Sequence, residues 1–441
     1  IRCSGRCTRC KIDLLYSQAA PAPFISRQMF MATTDSVKAR YRVSWIRNIA
    51  EVPQADWDAL AMPLITPFFE WDWLHTLEAS GSAIANAGWL PNHLTIWREE
   101  SGDRTLVAAA PLYLKGHSYG EFVFDHQWAD LAARLNIQYY PTLLGMSPFT
   151  PAEGYRFLIA DGEDEDALTQ IMVQAIDQFC DRNQISGCNF LYVDPQWRSR
   201  MEALGFHIWL HHSYIWDNND YQTFDDYLQA FNANQRRNIK RERKSIGKAG
   251  LRMIIHTGDD ISKSLCTQMY HFYSDTCDKF GWWGSKYLTR RFFEQLYDCY
   301  RHRVVLAAAY SDDRSDPVGM SFCLTKRDRL YGRYWGSFED YNHLHFNACY
   351  YTPIEWAINK GIQRFDPGAG GRHKKRRGFP ARPNYSLHRF YNPKLQSILT
   401  NYNGEVNQLE QQEIDYINND IPLKQKSEAC DQVPEVGSLN P

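Results

Sequence analysis

Residues 317–390 carry the pattern that most restricts the fold of this chain. The runs 318–324 and 330–335 are apolar and aromatic, and a polar turn at 325–329 separates them, which is the pattern of a β-hairpin. Phe346, Cys349, Tyr350, Ile354, Ala357 and Ile358 then recur at spacings of three and four, so a helix follows, with Gly361 placed as its C-cap. The short run 363–366 is broken at once by Pro367-Gly-Ala-Gly-Gly371, and the cationic Arg372-His-Lys-Lys-Arg-Arg377 comes next. Strand, strand, helix, strand and glycine-rich loop is the resulting order.

The loop points to an anion. Gly368, Gly370 and Gly371 permit backbone conformations in which successive N–H groups converge on negative charge, and His373, Lys374 and Arg377 follow closely. A tight turn that merely carries solvated charges is the competing reading. Asp366, ending the strand before the loop, is a candidate base or orienting carboxylate; equally, it caps the turn through an Asx hydrogen bond.

Upstream, Arg236, Arg237, Lys240, Arg241, Arg243, Lys244 and Lys248 share one helix, expected over 234–249, with Asn234 or Asn232 as N-cap and Gly250 just past its end. Arg237, Arg241, Lys244 and Lys248 form one stripe, while Ile239 and Ile246 mark the buried side. So many like charges on one helix repel unless a polyanion is near, and arginine grips phosphate with two parallel bonds. A plain solvated face is the alternative.

Composition narrows the class. With 441 residues, 44% of them hydrophobic, the chain can bury more than one core, so two domains are expected. A net charge of −2 argues against a protein that coats nucleic acid generally and gives local basic clusters more weight. No apolar run reaches the roughly 18 to 20 residues of a membrane span. Residues 1–40 read as a disordered or mistranslated leader, with Met29 and Met31 as plausible starts. Cys3, Cys7 and Cys10 have the spacing of an iron-sulfur motif, but the chain downstream is of another kind. The other cysteines lie scattered in apolar surroundings, as reduced thiols of a cytoplasmic protein would. His343, His345, Cys349 and His373 lack zinc-site spacing, so no metal is expected.

Several words of the sequence resemble a known family. Phe365-Asp-Pro-Gly-Ala-Gly-Gly371 with His373-Lys374, Arg377-Gly-Phe379, Pro383-Asn-Tyr-Ser-Leu-His388, Asn234-Gln-Arg-Arg-Asn238 and Tyr331-Gly-Arg-Tyr-Trp-Gly336 are similar to the signature of the FemAB-like predicted N-acyltransferases, filed under peptidoglycan biosynthesis or recognition. The likeness runs from about 41 to 400. It implies a mixed α/β fold made of two tandem domains of the GNAT acyltransferase type, as in Fem proteins. The first domain is expected over 41–216, the second over 217–400, and a polar C-terminal tail over 401–441.

A first copy can be traced on that template. It has an aromatic helix at 67–77, strands at 94–97, 106–114 and 120–124, a helix at 127–135 and a strand at 139–144. A long helix at 167–183 follows, with strands at 189–193 and 206–210 around a short helix at 198–204. Helices at 266–275 and 288–299 and a strand at 304–309 open the second copy.

The resemblance implies an aminoacyl or acyl group passed to an amine. Aminoacyl-tRNA or acyl-CoA would be the donor co-substrate and a muropeptide precursor the acceptor, with no certain cofactor. Ser337-Phe-Glu-Asp-Tyr-Asn-His-Leu-His345 stands where ordinary GNAT enzymes carry a glycine-rich turn for the CoA diphosphate, so the usual acetyl-CoA mode is not expected. Asp366, His343 or His345 would help remove the amine proton. Backbone N–H groups or Tyr331, Arg333 and Asn384 would hold the oxyanion, and His388 belongs to the same motif. Anion binding is expected from Asn234, Arg236, Arg237, Lys240, Arg241, Lys244 and the loop. The reaction would be cytoplasmic, at most peripheral to the inner face of the membrane. A recognition protein for peptidoglycan precursors or other anionic glycans, without turnover, is the alternative.

Overall fold

The computed structural model describes residues 29–31, 40–123, 125–279 and 286–424. The expected leader therefore lies outside the described residues, except for a short strand within it, as do Cys3, Cys7, Cys10 and positions 425–441.

Three sheets form the framework. The first is antiparallel, with β1 (Met29–Met31), β2 (Arg40–Ile46), β4 (His93–Glu100), β5 (Asp103–Ala110) and β8 (Leu158–Ile159) side by side. The second runs β10 (His207–Tyr214), β17 (Ala381–Phe390), β9 (Gly187–Phe190), β7 (Thr142–Gly145), β6 (Tyr113–Lys115), β3 (Trp89–Pro91), and only β7 and β9 are parallel. The third runs β11 (Trp216–Asp217), β16 (Arg364–Asp366), β15 (Arg329–Ser337), β14 (Gly319–Lys326), β13 (Val304–Ser311), β12 (Leu251–Thr257), with β15 and β16 parallel. The fold is mixed α/β with mixed sheets.

The organising stretch folds as its periodicities require. β14 and β15 form the hairpin, and residues 344–359 form one helix with a π turn at Asn347–Tyr351. The Ser321 hydroxyl on β14 donates to the Ala348 carbonyl inside that turn, at 2.6 Å. Gly361, at φ +69°, follows the helix end and lets Ile362 N–H return to the Ala357 carbonyl.

Other expectations need correction. The run 106–114 is two strands in different sheets, because Pro111 cannot donate to the ladder and β5 ends before it. Residues 120–123 form turns and bends rather than a strand. The tail expected from 401 onward is helical as far as Asn419, within the helix Pro393–Asn419, whose Leu395, Leu399, Ile414 and Ile417 are buried. β17 lies between β10 and β9, so the second sheet crosses the boundary expected at 216.

The two halves meet through buried polar bonds as well as apolar packing. Glu70, 3% exposed, accepts from the Tyr300 hydroxyl at 2.7 Å and from Arg303 Nη2 at 2.9 Å, and it pairs with Lys326 Nζ at 2.8 Å. The helix Lys263–Lys279 presses on β15 so closely that a Cβ on Gly336 would sit 2.2 Å from the Phe272 carbonyl oxygen. Gly336→Ala should therefore push helix and sheet apart and lower stability by about 1 to 3 kcal/mol, read as a drop in the urea midpoint.

Candidate active site

β15 and β16 pair only as far as Tyr331 and Asp366. Beyond that point β15 continues to Ser337 along β14, whereas the other chain turns away at Pro367, and a cavity of about 590 Å³ opens between them. Gly332, Arg333, Tyr334 and Trp335 form one wall, and Pro367, Ala369, Gly370 and Gly371 face them. His345, Cys349 and Tyr350 reach in from the helix, and His373 and Lys374 from the 3₁₀ turn Arg372–Arg377.

Buried charge organises this loop. Arg333 Nη2 and Nη1 lie 3.2 and 3.4 Å from the two oxygens of Asp366, with the side chains 1% and 8% exposed. Asp366 Oδ1 also accepts the Gly368 N–H at 2.8 Å, which is the Asx bond, so both carboxylate oxygens are occupied. Gly368, Gly370 and Gly371 all have positive φ, and a Cβ at Gly368 would stand 3.1 Å from the Gly332 carbonyl. Lys374 Nζ donates to the carbonyls of Gly368 at 2.6 Å and Ala369 at 3.1 Å. Burial pulls its pKa down to about 8, against the pull of Asp366. Burial, and then the charges of His373, Arg377 and Lys374, bring His345 down to about 4, so its ring is neutral at neutral pH. His373 Nε2 shares a hydrogen bond with the Tyr350 hydroxyl at 2.8 Å, and burial lowers its pKa too.

A second cavity, about 430 Å³, adjoins this one. Gln235, Asn238, Arg241 and Glu242 of the basic helix Ala233–Lys248 line it together with Phe346 and Arg372, His373, Lys375, Arg376 and Arg377. His373 borders both cavities. Arg377 is buried over the Phe346 ring at 3.4 Å, donating to Glu242 at 2.8 Å and to the His373 carbonyl at 2.9 Å, and its Nε has no partner. Glu242, which also takes the Tyr351 hydroxyl, is the counter-ion that sequence reasoning missed. Its signal was available, since it is the single acid among the cations of that helix.

The predicted residues divide. Arg333, Asp366, His345, His373, Lys374 and the loop glycines meet around the first cavity, and Arg241 and Arg377 around the second. Arg237, Lys240, Arg241, Lys244 and Lys248 are exposed as one stripe. Arg236 is tied back to Gln229 and Arg243 to Glu355. Asn232 caps the helix by accepting the Gln235 N–H, leaving Asn234 exposed.

Four residues lie elsewhere. The Tyr331 ring packs edge-on against Phe68, with its hydroxyl 3.4 Å from the Ile65 carbonyl in the first half. His343 sits at φ +64° with Nδ1 3.2 Å from Ser245 Oγ. Asn384 and His388 are carried by β17 into the second sheet, where His388 bonds Ser386 Oγ at 2.7 Å and Asn189 Oδ1 at 2.8 Å. Burial brings the His388 pKa down to about 3.

Among the described residues no group of three or more His, Cys, Asp or Glu is placed to hold a metal ion, and no helix is long and apolar enough to cross a membrane.

Several solved structures are similar in outline. FemX shares 11% identity at a TM-score of 0.48, covering 81% of this chain and 99% of that one. L-PGS from Bacillus licheniformis shares 9% at 0.44, covering 75% and 95%. A tandem GNAT protein from the clavulanic acid biosynthesis pathway shares 10% at 0.42, covering 80% and 99%. No curated protein matches the chain. The sequence profile of the FemAB-like family, described as peptidoglycan biosynthesis/recognition, matches residues 48–425. Because that match spans most of the chain and takes in both cavities, the chain belongs to the FemAB-like family.

Proposed function

We propose that the protein is an N-acyltransferase that moves an aminoacyl or acyl group from a phosphorylated donor to an amine in the making of peptidoglycan precursors. The observation that carries this reading is the cavity between β15 and β16, in which the buried Arg333 guanidinium and the Lys374 amine stand beside a left-handed glycine loop. Charge developing on a carbonyl oxygen there would meet donors that are already fixed and shielded from water. Family membership supports the peptidoglycan setting. That setting would put the reaction in the cytoplasm, at the inner face of the membrane.

The shared wall at His373 bears on the donor. An ester on a terminal nucleotide has its phosphate close to the reacting carbonyl, as two adjoining cavities require, whereas a pantetheine arm holds the CoA diphosphate far from its thioester. The segment Ser337–His345, without glycine, also lacks the usual diphosphate turn. Aminoacyl-tRNA is therefore the favoured donor. A recognition protein without turnover is the second reading, favoured by Asp366, which is paired with the Arg333 guanidinium and caps the turn at Gly368.

Both readings are tested with charged aminoacyl-tRNA and a UDP-linked muropeptide as probes. Amide formation by the wild type is expected; binding without product supports the second reading. Replacing Arg237, Arg241 and Lys244 together by Ala should weaken tRNA binding and flatten its log–log salt slope by about 2 to 3, without loss of fold, since all three are exposed. An unchanged slope would make the stripe a solvated face.

A further inference from the structure

We propose that Lys374 is the proton acceptor for the attacking amine, its nitrogen lining the cavity between β15 and β16 with one position that the loop carbonyls do not use. This rests on the transfer reading above and adds the group that moves the proton.

The geometry comes from two carbonyls. Lys374 is 3% exposed yet lines the cavity, and its Nζ donates to Gly368 and Ala369. An ammonium has three N–H bonds, and a neutral amine has two N–H bonds and a lone pair. In either form two N–H groups serve the loop and one position is left over. The residue can therefore gain and lose a proton without releasing the loop it braces.

The surroundings fix the poise. Asp366 on β16 favours the ammonium, Arg333 on β15 disfavours it, and Cys349 faces it from the helix. His345 and His373 each feel its charge, and the Tyr214 ring on β10 is 5.9 Å from Nζ. Because Asp366 is already paired with Arg333, burial dominates and the amine is half neutral near pH 8. The other groups serve less well. His345, at about 4, is too weak a base, Asp366 is held in an ion pair by the buried Arg333 guanidinium, and burial pushes the Cys349 thiol up.

The step balances. The acceptor nitrogen attacks the donor carbonyl carbon, a C–N bond forms, and one N–H proton passes to Lys374 Nζ. The C–O bond to the nucleotide then breaks, and Nζ returns the proton to the leaving oxygen. No net proton and no electron is consumed.

Two measurements on the full chain test this. In protein labelled with ¹³C-lysine, the ¹³Cε signal missing from Lys374→Arg, or from Lys374→Met should arginine not fit, is expected to titrate with a midpoint near 8. Arginine keeps the donors but accepts no proton. With the aminoacyl-tRNA and muropeptide probes, single-turnover rates of the wild type should rise with pH through the same midpoint. Lys374→Arg should lose that limb and fall roughly 10²- to 10⁴-fold, with tRNA affinity nearly unchanged. A midpoint above 10, or an arginine variant within threefold of wild type, overturns the role of Lys374 while leaving the transfer reading intact. A wild type with no turnover overturns both.

Discussion

Asp366→Asn should lower stability and ligand affinity together, with an unfolding free energy reduced by about 3 to 5 kcal/mol. The amide can still accept the Gly368 N–H, so the turn itself is not the main loss. The Arg333 guanidinium is, because its side chain is 1% exposed and Asp366 is its only carboxylate partner among the described residues. An uncompensated buried cation displaces the Gly368 and Lys374 contacts that shape the cavity. Urea melts and tRNA affinities, measured side by side on wild type and variant, check the expectation. A variant that kept its melting midpoint while turnover fell 100-fold would instead identify Asp366 as the base.

Glu70→Ala should be the most damaging single change at the seam between the halves. It leaves Lys326, with a side chain 2% exposed, and Arg303, at 17%, without their shared carboxylate, and the Tyr300 hydroxyl without one acceptor. A loss at the upper end of about 3 to 5 kcal/mol is expected at pH 7. The loss carries a pH signature. Burial already lowers the Lys326 pKa, and removing Glu70 takes away the main opposing influence. Between the lowered folded value and the ordinary lysine value the unfolded chain binds the extra proton, so stability rises with pH in that window. Urea midpoints at pH 7 and pH 10 should therefore lie further below wild type at the lower pH; an equal deficit at both would mean that Lys326 is not the group left stranded.

What could be read in advance was what is encoded locally. β13, β14 and β15 and the helix over 344–359 announce themselves by short apolar runs or by spacings of three and four, and Gly361 and the loop glycines mark conformations that other residues adopt poorly. β17 did not read as a strand. Its Arg382, Pro383, Asn384, Ser386 and His388 are polar or lack a donor, and they suit a sheet interior only because Ser386, His388 and Asn189 bond one another and Pro383 faces no partner on the β9 side. The helix Pro393–Asn419 was hidden for a similar reason, since its buried residues are sparse and half its length looks solvated. At the site, the glycine loop and its cations were legible as a motif. Glu242 stands out as the one acid among the cations of its helix, but its pairing with Arg377, 135 residues later, was not legible, because nothing in the spacing says which side of a helix meets that turn.

The position of β17 also sets an order of events in the cell. Its neighbours β9 and β10 end at Phe190 and Tyr214, but the strand that joins them is made only when the ribosome reaches residue 390. Until then the second sheet stands open, with two unpaired edges that invite pairing with other chains. The N-terminal part of the molecule thus cannot finish folding before residue 390 has been made, and a gene fragment ending near residue 216 would encode a protein with a permanent gap in its sheet.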